Sequence, residues 1–215
     1  MEPLYPASKV EVHGLAARHY DALLDVLTLG GYGRVLRRAI AMMGIENGEH
    51  VLDLGAGTGR NACLMRAYAG ASGTITALEI GHEMRAQFRR RCGAFSNVIL
   101  DERRIDLELP YRAQFDKALL SFVIHGFPHA VRIRILDNVR HALRPGGDLF
   151  IFDFAEFSLA TIPWYVRIPF TTIECPYAFD YIARDWKAIL ADGGFSSCVE
   201  DFFFHGYVRL LRAQR

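Results

Sequence analysis

Apolar and polar positions along the chain fall into two alternating patterns. Residues 15–29 and 31–43 carry stripes at helical spacing, Leu23, Leu24 and Leu27, then Val35, Leu36 and Ile40, with a break at Gly30-Gly31 and a stop at Gly44. Beyond them, short apolar runs alternate with amphipathic ones. Strands are predicted over 50–54, 74–78, 97–100, 115–122 and 149–154, and helices over 61–68, 82–92, 129–143 and 180–192. Gly70 ends the first of these helices and Gly93 is the expected C′ residue of the second. The run 115–122 is unbroken after Asp116-Lys117, as a strand buried on both faces should be. Helix 129–143 places Ile133, Leu136, Val139 and Leu143 on one side, and helix 180–192 turns Ile182, Trp186, Ile189 and Leu190 inward before Gly193-Gly194. Arg144-Pro145-Gly146-Gly147 is expected to be a turn ahead of strand 149–154. Runs at 197–203 and 207–211 flank His205-Gly206, which is a hairpin signal.

Strands that alternate with helices imply a parallel sheet with right-handed crossovers. A hairpin cannot be parallel to itself, so one strand must run against the others. The expected fold is α/β: a seven-stranded, mostly parallel sheet with helices on both faces, a C-terminal antiparallel hairpin and N-terminal helices. A length of 215 residues suits one domain. The formal net charge of +1 shows no basic surplus for nucleic acid, and Arg89-Arg90-Arg91 is expected to be a solvated helix face. The cysteines at 63, 92, 175 and 198 form no C-x-x-C pair and no zinc-spaced cluster, so no metal is expected. Cys63 and Cys92 read as small buried hydrophobes. Nothing demands disulfides, the opening residues lack a signal pattern, and no run of ~18 apolar residues exists; a cytoplasmic protein without a membrane span is expected.

The chemistry concentrates in Val51-Leu52-Asp53-Leu54-Gly55-Ala56-Gly57-Thr58-Gly59-Arg60, with Glu79 closing the next predicted strand. Glycines let backbone approach a ligand where a Cβ would collide, and an acid after the second strand can take both hydroxyls of a ribose. A phosphate-gripping loop would need Gly-Lys-Ser/Thr, but Gly59 precedes Arg60-Asn61. A nicotinamide fingerprint would want Gly or Ala at position 60, where Arg60 would crowd helix–strand packing. S-adenosylmethionine (SAM) is the third candidate. It carries no phosphates, and needs a glycine turn, a ribose acid and polar groups for its amino-acid end.

The chain resembles a class I SAM-dependent methyltransferase over about residues 15–211, and within that class it is most similar to the ubiquinone/menaquinone C-methyltransferase group. Asp53 to Gly59 resembles the D/E-x-G-x-G-x-G motif, and Glu79 the acid that ends the second strand. Met84 resembles the residue that packs on adenine, and Asp106-Leu107 the pair beside the adenine amino group, with Asp101 competing because that segment is about one residue short. Phe115-Asp116 with Ser121-Phe122 resembles the fourth-strand motif, and Leu143 to Gly147 the turn before strand five. The resemblance implies a Rossmann-like fold and a SAM site at Asp53, Gly55, Ala56, Gly57, Thr58, Gly59, Glu79, Ile80, Met84, Asp106, Leu107, Ser121 and Phe122. It divides the chain into an N-terminal helical cap at 1–48, a SAM-binding core at 49–154, a substrate-cover segment at 155–180, and a final helix and hairpin at 181–215.

His125 follows the fourth strand at the carboxyl edge of the sheet, where open α/β folds bind ligands, and is the candidate catalytic base. Tyr20, in Arg18-His19-Tyr20-Asp21, resembles a tyrosine that lies over the cofactor in small-molecule methyltransferases, and is the second catalytic candidate. Asp153 is either a further site residue or a cap for the following loop. Residues 155–180 depart from the quinone group and are aromatic and poor in charge. They are expected to be a lid over an apolar acceptor, a peripheral membrane contact or a homodimer interface, with plain core packing as the bland alternative. The expected function is methyl transfer to a small or lipid-like acceptor such as a quinone-precursor ring carbon. The alternatives are N-methylation of phosphatidylethanolamine or a small amine, and a non-catalytic SAM-binding subunit.

Overall fold

Three strands lined with apolar side chains on both faces occupy the middle of the sheet: β1 (His50–Leu54), β4 (Phe115–Ser121) and β5 (Leu143–Phe154). The computed structural model describes Tyr5, Ser8 and residues 30–215. Helix 15–29 and Tyr20 therefore lie outside the described residues. The remaining elements are α1 (Gly31–Met42), α2 (Arg60–Ala69), β2 (Thr74–Leu78), α3 (His82–Cys92), β3 (Val98–Asp101), α4 (His129–Ala142), α5 (Trp164–Ile173), α6 (Pro176–Ile182), α7 (Trp186–Asp192), β6 (Ser196–Phe203) and β7 (Val208–Gln214). The seven strands order as β3-β2-β1-β4-β5-β7-β6. Neighbours from β3 to β5 pair in parallel, and β7 runs antiparallel to both β5 and β6. The expected α/β sheet with its reversed closing hairpin is what forms.

Side chains alternate between the two faces, as strand geometry requires. Val51, Phe150 and Phe152 join Leu36, Ile40, Met65 and Phe88 on the α1–α2–α3 side. Leu52, Leu54, Leu149 and Ile151 join Ile135, Leu136, Trp186 and Leu190 on the opposite side. Trp186 is wholly buried; its ring lies 4.3 Å from that of Tyr181, and its indole N–H donates to the Tyr181 carbonyl at 2.9 Å.

The structure corrects several boundaries. The predicted helix 180–192 is two helices, α6 and α7, because Asp185 caps the second by accepting from the Ala188 N–H at 3.0 Å. The predicted turn at 144–147 lies inside β5. Pairing jumps from Phe115–Leu143 to Lys117–Asp148, so those four residues bulge opposite Asp116 alone. Gly93 closes α3 in right-handed rather than left-handed conformation. The closing hairpin turns through a short 3-10 segment, Phe204–Gly206, rather than two residues. Ile133, expected inside, is 42% exposed; Arg132 takes the inward position. Arg91 departs from a free solvated face by donating to the Thr58 carbonyl at 2.9 Å and hydroxyl at 2.5 Å.

Candidate functional site

The carboxyl ends of β2, β1 and β4 lie side by side, and the loop from β1 into α2 crosses them. Gly55, Gly57 and Gly59 all have positive φ, 76°, 54° and 80°, which a side chain would strain. Their surroundings differ. A Cβ on Gly55 would lie 2.6 Å from Val123 Cγ2, and one on Gly59 would lie 2.7 Å from Phe88 Cδ2. Those two glycines let the loop pack on its own protein. A Cβ on Gly57 would meet nothing within 4 Å, so this glycine presents bare backbone to open space. Ala56 and Thr58 between them are buried.

Glu79, just past β2, holds the loop in place. One carboxylate oxygen accepts from the Gly57 N–H at 2.8 Å, and the other from the Gly81 N–H at 2.6 Å. Burial raises its pKa, against those backbone hydrogen bonds. A carboxylate offers about four acceptor sites, so acceptance from a ribose hydroxyl remains available beside these backbone bonds. Ile80 is half-buried and Met84 buried on the first turn of α3. Asp53 is different. It is fully buried, and neither carboxylate oxygen has a hydrogen-bond partner. Burial, with the nearby Glu79 charge, pushes its pKa up to about 7. A buried carboxylate without a partner is costly and marks a position suited to a ligand cation or N–H donor.

Asp106 is committed elsewhere. It accepts from Tyr5 at 2.7 Å and from Arg104 at 3.0 and 2.6 Å. Burial works against its charge, but these bonds prevail and hold its pKa low. Leu107 is exposed. Asp101, its competitor, accepts from the Tyr111 hydroxyl at 2.5 Å. Arg60 packs against α1 over the Tyr32 ring, 5.4 Å from its centroid, and Gly33 leaves room for it.

On the β4–β5 side, Ser121 ends its strand and Phe122 takes a left-handed φ of 51°. The Phe122 ring packs edge-on against Phe152 and Phe154 at 5.1 and 5.7 Å. His125 sits in the 3-10 turn Ile124–Gly126. Its Nδ1 is 2.8 Å from Asp153 Oδ1 and its Nε2 is 3.4 Å from Glu174 Oε2. Burial opposes a charge on the ring, yet the two carboxylates prevail and bring its pKa up to about 10. Asp153 also accepts from its neighbour Phe154 N–H at 2.8 Å. Glu174 is the C-cap of α5, so one imidazole joins the ends of β4 and β5 to the cover segment. Arg132 secures the same turn from below, donating to the carbonyls of Ile124 at 3.2 Å, His125 at 2.9 Å and Tyr177 at 2.5 Å, and to Asp180 at 2.7 Å. Sequence pattern flagged Asp153 but missed Glu174 and Arg132. An arginine on the apolar side of a predicted helix was the available signal for Arg132.

A methyltransferase-domain family profile matches residues 51–147, from β1 through the β5 bulge. A demethylmenaquinone methyltransferase from Beutenbergia cavernae is 31% identical, across 93% of this chain and 87% of its own length. The chain belongs to the class I SAM-dependent methyltransferases. A ubiquinone/menaquinone biosynthesis C-methyltransferase, UbiE, from Methylococcus capsulatus is 26% identical over 93% of this chain and 88% of its own. The solved structure of a SAM-dependent methyltransferase from Aquifex aeolicus shares the fold, with a TM-score of 0.63, 17% identity, and coverage of 83% of this chain and 88% of that one. The methyltransferase's loop fits its cofactor. The unpaired oxygens of Asp53 suit a methionine ammonium, and the open space at Gly57 leaves room for a ligand against the backbone. Among the described residues no helix is long and apolar enough to cross a membrane.

Proposed function

We propose that this methyltransferase acts on a ring carbon of a lipophilic quinone precursor. The observation that carries the reading is the wall beside the donor loop. Phe122, Phe154 and Phe170 form it, with Phe154 to Phe170 at 5.0 Å, and its carboxylates Asp153 and Glu174 are already engaged by His125. An amine acceptor would arrive as a cation and need a free carboxylate on this side. An aromatic acceptor needs flat apolar surface and exclusion of water. The curated relatives, named for quinone methylation, support the same acceptor class.

In this reading Asp53, the backbone of Gly55 to Gly59, Glu79, Ile80, Met84, Ser121 and Phe122 hold the cofactor, whose sulfonium supplies an activated methyl group. Asp106 and Leu107 contribute less, because Asp106 is held by Arg104 and Tyr5. Catalysis is chiefly alignment of the acceptor carbon behind the methyl, a class of effect worth up to ~7–11 kcal/mol in the best cases. When the ring carbon bonds to the methyl it must lose its proton. His125 is the candidate acceptor of that proton, oriented by Asp153 as a base is oriented by a partner carboxylate. With pKa about 10 it carries a proton on both ring nitrogens at neutral pH, so it must first pass the Nε2 proton to Glu174 or to water before it can take the one that the ring carbon loses. The exposed face of α5, with Trp164 68%, Tyr165 63% and Ile168 56% accessible, suits shallow contact with a lipid phase in which such acceptors dissolve. The core-packing alternative for 155–180 holds for Phe170, which is buried, and not for these three.

The test is a radiolabelled-methyl assay offering a demethylated naphthoquinol, phosphatidylethanolamine and a small primary amine in parallel. Label entering the quinol is expected; label entering either amine, and not the quinol, would replace this reading with N-methylation.

A further inference from the structure

Two cysteines meet behind the donor loop. Cys63 lies on the first turn of α2, and Cys92 is the last residue of α3. Both reach the carbonyl of Gly59, the final glycine of the turn. The Cys63 N–H donates to it at 3.0 Å and the Cys92 thiol at 3.4 Å. The Cys63 thiol turns across to α3 and donates to the Arg91 carbonyl at 3.7 Å, in the peptide that leads into Cys92. The two sulfurs therefore stand beside one another across the α2–α3 seam. Both are free thiols, Cys63 half-buried and Cys92 buried.

The donor loop rests on this corner. A Cβ on Gly59 would lie 2.7 Å from Phe88 Cδ2 and 3.0 Å from Cys92 Sγ, and Arg91 holds both the carbonyl and the hydroxyl of Thr58. We infer that Cys63 and Cys92 form a redox-sensitive modification site, which a hydroperoxide converts to a disulfide and which thereby loosens the loop's hold on SAM. Burial, and then the Cys63 thiol beside it, pushes the Cys92 thiol up, so Cys92 keeps its proton at neutral pH and the more accessible Cys63 reacts first. Hydrogen peroxide turns the Cys63 thiol into a sulfenic acid and leaves as water. The Cys92 sulfur then attacks the sulfenyl sulfur. The S–S bond forms as the S–O bond breaks, and the hydroxyl departs with the Cys92 proton as a second water. Two electrons pass from the thiols to the peroxide.

Closing the bond brings the sulfurs to about 2.05 Å and draws Cys92 off the Gly59 carbonyl. Cys92 ends its helix, so it moves at less cost than a residue inside one. Gly59 loses a donor, and Arg91, next to Cys92 in the chain, is pulled from its place on Thr58. A disulfide of this kind acts as a reversible sensor rather than a staple. The site works through the SAM loop alone and is independent of which acceptor is methylated.

The reduced chain is treated with excess hydrogen peroxide, digested without reductant and read by mass spectrometry. SAM affinity is measured by calorimetry before treatment, after it, and after dithiothreitol. A linked Cys63–Cys92 peptide is expected, and SAM affinity should fall by about tenfold or more and return with dithiothreitol. That recovery separates the disulfide from sulfoxidation of Met84, which a dithiol does not reverse. Cys63→Ala should bind SAM within about twofold of the reduced wild type and keep that affinity in peroxide. Absence of the linked peptide overturns the proposal, as does a disulfide form whose SAM affinity stays within about twofold of the reduced chain. A loss that dithiothreitol does not reverse, or an equal loss in Cys63→Ala, overturns it too.

Discussion

The donor side and the acceptor side of this sheet treat charge in opposite ways. At the β1 edge Asp53 is buried with both oxygens unpartnered, and the backbone at Gly57 faces open space. At the β4–β5 edge each carboxylate is engaged: Asp153 and Glu174 share His125, and Asp180 holds Arg132. The difference teaches what each side is shaped to meet. An unpaired buried carboxylate lowers stability unless a polar ligand completes it. A set of ion pairs that closes on itself leaves an apolar surface, as the proposed lipophilic acceptor would require. The contrast exposes the donor side to the largest mutational losses and the acceptor side to smaller, more selective ones.

Gly57→Val is the sharpest way to break the contrast. A side chain there enters open space at a φ of 54°, so SAM affinity should fall by roughly 100-fold or more. Circular dichroism should still show a folded chain. A variant that keeps wild-type affinity in calorimetry would mean the loop does not approach the cofactor.

Asp53→Asn should weaken SAM while stabilising the free chain at alkaline pH. The folded carboxyl titrates near 7 and its reference value is 3.8. Between those values the folded state binds more protons than the unfolded one, so stability contributed by this residue falls as pH rises from 4 to 7. Removing the charge should recover on the order of 2 kcal/mol at pH 8 and little at pH 4, read by urea unfolding. Equal effects at both pH values would show that the charge is not the cause.

His125→Ala should reduce kcat by roughly 10²-fold or more with SAM affinity within about twofold. Unchanged turnover would remove His125 from the reaction. Glu174→Gln should be gentler: it removes one of the two charges that hold the imidazolium, and should move the acid limb of the pH–rate profile to lower pH. The contribution of the His125 contacts falls with rising pH as that of Asp53 does, but in a higher window. It is full below about 6.5 and is lost as pH rises through 10, which pH-dependent unfolding of Glu174→Gln against wild type should show as a smaller loss. Tyr5→Phe should have the smallest effect, about 1 kcal/mol of stability from its bond to Asp106, with SAM binding little changed.

The donor side was largely legible in the chain because its chemistry is local. Asp53, three glycines and Glu79 act through backbone conformation and strand ends, which short-range pattern encodes. The reversed β7 followed from two apolar runs around His205-Gly206 in the same way. On the acceptor side His125 and Asp153 stood out as strand-end residues, but their partners did not, because those bonds span long separations. His125 meets Glu174 across 49 positions, Arg132 meets Asp180 across 48, and no periodicity records such pairs. Arg132 inverted the reading of its own helix, since its buried guanidinium serves three carbonyls and displaces Ile133 to the surface. The split at 183–185 depended on a cap, Asp185, that helical spacing alone concealed.

Proton release on cofactor binding tests the central contrast most directly. SAM is titrated at pH 7 into the wild-type chain and Asp53→Asn, in buffers of different ionisation enthalpy. With the Asp53 carboxyl at about 7 and ionised once a cation meets it, wild type should release roughly half a proton more per SAM bound than the variant. Equal proton counts in the two proteins would contradict the account, because Asp53 would then not be the group that the donor side leaves open for its ligand.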